Sequence, residues 1–197
     1  MYVLADTPIS SPRISSISGG STARYTTRMT TTYFQGHASH PQHVSVGGVL
    51  VNKKGEVCCH HFYTKGLKGY WAEQKFDDAY LLMRKTIEPN ETLEHALHRG
   101  LQEEFGATGE FVDYVGSIKG AFMHKGVEIE KTTLYFLCKL VDQDLLSRAA
   151  DDDETQSVIE WQTPDYLISR MKAQAIKYGR TDVDESSILE RLKAQNK

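Results

Sequence analysis

The chain has 197 residues, 40% of them apolar and 25% charged, with a formal net charge of −3. That length holds one domain of ordinary size with a good core plus some unstructured chain, and excludes two full domains. The charge supplies no basic field, so nucleic acid and anionic lipid are not expected partners, and no apolar run approaches a membrane span.

Residues 1–40 are rich in Ser, Thr and Gly, with Arg13, Arg24 and Arg28 set against Asp6. This composition predicts a disordered segment. It can accompany a transit peptide, but no amphipathic Arg-bearing helix and no secretory apolar core stands out, so the expected location is cytoplasmic. From Val44 the pattern predicts a strand, a turn at Asn52–Gly55 and a second strand from Val57 to Tyr63. Cys58, Cys59 and Cys138 give no framework of separated pairs and fit a reduced setting. Cys58-Cys59-His60-His61 contains zinc-ligand types, yet strand neighbours point to opposite faces and cannot close on one ion without partners from elsewhere.

Residues 64–79 make a long connection. Tyr70, Trp71 and Phe76 would form a stacking surface for a base, with Lys65 and Lys68 near phosphates, or would pack the loop onto the core, which is the commoner use of such aromatics.

The segment from Lys85 to Ala107 carries the most chemistry. A helix turning about 100° per residue puts Leu93, Leu97 and Leu101 on one apolar stripe, with Glu104 inside it and Glu103 at its edge beside Arg99. A carboxylate held toward a core is costly unless it is paired or bound to a cation. Glu103 and Glu104 are therefore candidate ligands for a hard cation such as Mg2+, which takes few carboxylates and completes its shell with water and phosphate oxygens. The plainer alternative for a Glu-Glu pair is a solvated helix face; the Gly106 stop and the upstream Glu91 and Arg99 weigh against it. His95 and His98 fall on the exposed side.

Phe111 to Lys119 and Lys131 to Val141 read as strands, and residues 120–130 as a loop facing substrate. Thr163 and Pro164 open a helix that runs to Tyr178, with apolar positions at Leu167, Met171, Ala175 and Tyr178. Asp184 to Leu192 predicts a short helix docking on the domain or on a partner subunit, which would make a homodimer.

Glu91, Arg99, Leu101, Glu103, Glu104, Gly106 and Ala107 match G-x5-E-x7-R-E-U-x-E-E-x-G-U, where U is apolar, and so resemble a Nudix box. Lys85 replaces its first Gly, and Gly100 replaces the first Glu of REUxEE. Tyr80 to Glu94 resembles the run at this place in Nudix enzymes of dinucleoside polyphosphate type. Val44 to Asn52 resembles the family's opening strand, Lys131 to Leu140 the strand after the box, and Glu160-Trp161 a late landmark. The resemblance implies a Nudix fold, a mixed-sheet α/β/α sandwich, over residues 41–180, with a helical extension over 181–197.

It also implies cleavage of the phosphoanhydride bond of a nucleoside diphosphate linked to another moiety, with Mg2+ or Mn2+ as cofactor. Glu103 and Glu104 would hold the metal, joined by Glu91 and the Arg84 backbone carbonyl. Arg99 would position its neighbouring carboxylates, and Arg84 and Lys85 would contact phosphate. Gly100 removes a carboxylate that is a ligand or base in some members, which leaves Glu128, Glu130, Glu154 and Glu160 as candidates for the base. Glu154 comes first because family members often place an acid near it, ahead of Trp161; a solvated acidic loop is the alternative. A second outcome stays open, a Nudix-fold module that binds a nucleotide, RNA or protein without turnover, which Lys85 and Gly100 motivate. A third is an isomerase, for which nothing singles out Cys138.

Overall fold

A computed structural model describes residues 35–36, 39, 41–63, 67–150 and 153–195. The readings of residues 1–34 and of Lys65 lie outside the described residues, as does the Tyr70 side chain.

The chain runs through strand β1 (Gln42–Val51), strand β2 (Val57–Phe62), helix α1 (Gly69–Glu73), and strands β3 (Ala79–Leu81) and β4 (Met83–Thr86). Helix α2 (Leu93–Phe105), strands β5 (Ala107–His124), β6 (Val127–Gln143) and β7 (Val158–Gln162), and helices α3 (Pro164–Tyr178) and α4 (Ser186–Gln195) follow. The strands form one mixed seven-stranded sheet in the order β3-β2-β1-β6-β5, with β4 on β1 and β7 on β2. β1 and β6 pair in parallel from Gln42 opposite Glu130 to Val51 opposite Lys139. The other edge of β1 is shared: β4 lies antiparallel beside Ser45 to Gly48, and β2 meets β1 at Val51.

Strand alternation sorts the apolar side chains onto two faces. Val46, Leu50, Cys58, Met83 and Cys138 pack with Ala96, Leu97, Leu101 and Phe105 of α2. Val49, Val57, Cys59, Leu82 and Tyr135 pack on the other face with Leu167 and Met171 of α3 and Ile188, Leu189 and Leu192 of α4. The result is a helix–sheet–helix sandwich in which α4 docks on its own domain. Cys58 and Cys59 therefore belong to different cores, and burial pushes the Cys138 thiol up to about 12. Among the described residues no group of three or more His, Cys, Asp or Glu side chains is arranged to hold a metal.

Two local expectations change, and the commoner of the two uses of the loop aromatics holds. The segment 120–130 is not an open loop: β5 and β6 continue through it as a hairpin, with Phe122 opposite Ile129. Its turn is Lys125-Gly126, both at positive φ (48° and 79°), the backbone twist that matches two antiparallel strands. Trp71 and Phe76 are buried with Phe62, Leu81 and Val183, and the Trp71 ring stacks on Phe62 at 4.1 Å, so these aromatics close the loop onto the sheet and offer no stacking surface. Leu93 is 42% exposed. The first turn of α2 projects past the apolar cluster, and the buried stripe begins at Ala96.

Both ends of α2 are capped. The Thr92 side chain accepts from the His95 N–H at 3.1 Å, and Gly106 sits in the left-handed region (φ 59°) while its N–H closes onto carbonyls of the last turn. A Cβ at Gly106 would meet the Asp144 carbonyl oxygen at 2.1 Å. Gly106→Ala is expected to lower unfolding stability by about 1–3 kcal/mol or more, read as a fall in thermal midpoint, because both the backbone angle and the space oppose a side chain.

Candidate active site

The site lies where α2, β4 and the turn before β7 meet. Arg99 donates from Nε and Nη2 to the two carboxylate oxygens of Glu91, each at 2.8 Å, and from Nη2 to the Thr86 carbonyl at 2.9 Å. The Glu88 N–H adds a bond to Glu91 Oε2 at 2.8 Å. These donors pull the Glu91 carboxyl down to about 2, the Arg99 guanidinium being the main cause. Arg99 Nη1 also approaches Glu103 Oε2 at 3.4 Å. Arg99 thus ties the loop before α2 to the carboxylate edge of the helix, and Glu91 supports the site through Arg99 with both oxygens already engaged. His95 leans on Glu91 from solvent at 3.0 Å, and His98 is half-buried, 3.9 Å from Glu94.

Glu104 is buried, with a side chain only 1% exposed. Its Oε2 lies 3.0 Å from His60 Nε2 on β2, and His60 Nδ1 lies 2.7 Å from Ser157 Oγ. Ser157 has one hydroxyl hydrogen and gives it to the Glu154 carbonyl at 2.7 Å, so His60 Nδ1 must donate to Ser157. The Nε2 to Oε2 contact is then favourable only with one proton held between imidazole and carboxylate. Arg148 completes the ring, donating to the Glu104 carbonyl at 2.6 Å and to the Glu154 carbonyl at 2.8 Å. One guanidinium therefore fixes the end of α2 against the turn that carries Glu154. Sequence reasoning missed His60, Ser157 and Arg148 in these roles. Strand alternation places His60 on the Cys58 face of β2, toward α2, and was the one signal that could have found it.

Lys85, on β4, reaches over α2. Its Nζ lies 2.9 Å from Glu103 Oε2 and 3.9 Å from Glu104 Oε1. The neighbouring Arg84 donates to the Asp182 carbonyl at 3.2 Å, and its Nε lies 3.5 Å from the buried Glu185. Glu185 also receives the Leu82 N–H at 2.6 Å and the Tyr135 hydroxyl, so the segment leading into α4 anchors Arg84. Arg84, Lys85, Arg99, Glu104 and Glu154 line one open cleft of about 330 Å³. The other base candidates lie elsewhere. Glu128 borders a second cavity with Phe122, Arg180 and Asp182, Glu130 pairs with Lys119 at 2.9 Å, and Glu160 bonds His61 at 2.7 Å on β2, whose side chains alternate between faces.

A mixed sheet between helices thus presents a capped helix with paired carboxylates beside a cleft whose lining sets Arg84, Lys85 and Arg99 against Glu88, Glu104 and Glu154. A NUDIX domain profile matches residues 41–181, and the chain belongs to the Nudix family. The solved structure of a MutT protein from Methanosarcina mazei Go1 is similar, with a TM-score of 0.55 at 18% identity, over 82% of this chain and 99% of that one. A NUDIX hydrolase from Nitrosomonas europaea gives a TM-score of 0.48 at 14% identity, over 71% of this chain and 93% of that one. No curated protein matches the chain. At 18% identity the likeness to the MutT protein bears on the fold alone. Among the described residues no helix is long and apolar enough to cross a membrane.

Because folding lowers the Glu91 value from 4.5 to about 2, the Glu91–Arg99 pair stabilises the fold fully above pH 4.5 and loses that contribution as pH falls toward 2. Glu91→Gln is expected to cost on the order of 2 kcal/mol at pH 7, and the gap to the wild type should close on acidification through that window. Chemical denaturation at a series of pH values checks both points; a gap that stays constant would contradict the linkage.

Proposed function

We propose that this chain hydrolyses the phosphoanhydride bond of a nucleoside diphosphate linked to another moiety, with Mg2+, or Mn2+ in its place, brought in on the substrate's phosphates. The observation that carries this reading is the convergence of Glu104, Arg84, Lys85, Arg99 and Glu154 on one cleft, with Glu103 beside Lys85. Two carboxylates and an ammonium do not make an all-protein metal cage. They fit a cation that keeps water and takes phosphate oxygens as its remaining ligands. Glu103 and Glu104 would hold it once Lys85 turns from the carboxylates to the phosphate. When bound, such a cation would supply neutralisation of the charge on the phosphoryl oxygens.

The chain's own residues supply position and proton transfer. Arg84, braced by Glu185, and Lys85 bind the diphosphate and hold it against the carboxylates. Arg99 fixes the direction of Glu103, and His60 fixes that of Glu104. Glu154 accepts the proton of the attacking water, in place of the carboxylate that Gly100 lacks. The nucleoside and the second moiety extend from this cleft and are not specified by the carboxylate helix.

A second reading, a Nudix-fold module that binds a nucleotide, RNA or protein partner without turnover, is favoured by one observation, the Lys85 ammonium seated at the carboxylate pair. Product release from nucleotide sugars, dinucleoside polyphosphates and nucleoside triphosphates, with and without Mg2+ or Mn2+, separates the two. Hydrolysis predicts metal-dependent turnover of at least one compound and a loss of about a hundredfold or more in Glu104→Gln. Absence of turnover across the panel favours binding. Glu154→Gln is expected to lower kcat by about a hundredfold with little change in metal affinity, as for loss of a general base. Unaltered kinetics would remove Glu154 from the mechanism.

A further inference from the structure

Two features of the carboxylate pair belong together. The Lys85 side chain is 17% exposed and its ammonium sits 2.9 Å from Glu103 and 3.9 Å from Glu104, the latter 1% exposed. The Cβ from which this stem starts lies against Gly100. A Cβ at position 100 would lie 2.9 Å from Lys85 Cβ and 2.7 Å from Met83 Sδ. The bare helix backbone at Gly100 therefore leaves room for the Lys85 Cβ, where the lysine stem begins, as well as for the Met83 side chain. The absence of a carboxylate at 100 also leaves Glu103 and Glu104 with a charge that one ammonium and His60 can balance. Compared with the box that this segment resembles, one carboxylate is lost and one cation gained at touching positions.

We propose that Lys85 is a resident cation: its ammonium occupies the seat between Glu103 and Glu104 in the free protein, and Gly100 is its structural counterpart. A tethered charge at that distance competes with any divalent ion for the same oxygens, and its covalent attachment keeps it there at a high effective concentration. The free protein consequently binds divalent metal weakly, and a cation reaches the carboxylates only when an anionic ligand draws the ammonium away. This assignment concerns the free protein and does not depend on turnover.

The test is Mn2+ binding by the full-length protein without nucleotide, followed by the electron spin resonance signal of free Mn2+, for wild type and Lys85→Met. Methionine keeps most of the stem and removes the charge. Mn2+ affinity is expected to rise at least about tenfold in Lys85→Met, the scale on which neighbours of metal ligands act. Equal affinity in wild type and a cooperatively folded Lys85→Met overturns the proposal. A second comparison covers failure of that variant to fold. Gly100→Glu alone is expected to lower the thermal midpoint, and Lys85→Gly with Gly100→Glu to recover part of the loss and bind Mn2+ more tightly than wild type. No recovery together with wild-type Mn2+ affinity overturns the exchange. Failure of the substrate panel would leave both measurements standing, so the two readings fail separately.

Discussion

The structure around α2 is organised by the need to keep the Glu104 carboxylate ionic, or sharing a proton, beneath the sheet. A carboxylate with 1% of its side chain exposed loses its hydration, and that cost must be met by partners at hydrogen-bond distance. His60 comes from β2, Lys85 from β4, and Arg148 secures the backbone of Glu104 itself. Each partner belongs to a different element, so the residue that costs most to bury also locks the helix to the sheet and to the turn before β7. Truncating one partner would leave a buried charge without its compensation, a larger penalty than the pair contributes when intact.

Two further networks set the geometry of the cleft from either side. Arg99 spends its fork on Glu91, which holds the loop between β4 and α2 and leaves one nitrogen directed to Glu103. Glu185 gathers Leu82, Tyr135 and Arg84, which carries the packing of the C-terminal helices through the sheet to the cleft. The segment that follows the main helix α3 therefore contributes to the basic side of the site, although it bears no cleft carboxylate. Positive charge at Arg84 and Lys85 beside negative charge at Glu103 and Glu104 is an arrangement suited to phosphate on one side and a hard cation on the other.

Much of this was legible in the sequence. The apolar spacing of α2, the Gly106 stop and the inward place of Glu104 follow from local sequence, as do the start of α3 at Thr163-Pro164 and the alternation that separates Cys58 from Cys59. The family signature rests on the same local positions, with Arg99 one helical turn from Glu103. The long hairpin was harder to see, because Gly120 and the charged residues that follow it resemble a loop until Phe122 is set opposite Ile129.

By itself the sequence determined the carboxylate helix, its glycine stop and the motif that resembles the Nudix box, because each depends on residues a few positions apart whose side chains a helix must place on one face; the sandwich followed only as what that resemblance implied. The partners of those carboxylates were decided only in the tertiary structure. His60 and Glu104 are 44 positions apart, and Gly100 touches Lys85 only because β4 lies across the helix. Spacing showed two departures from a pattern. Packing showed that they touch, since charge compensation in a buried site depends on distances between elements that no local period encodes.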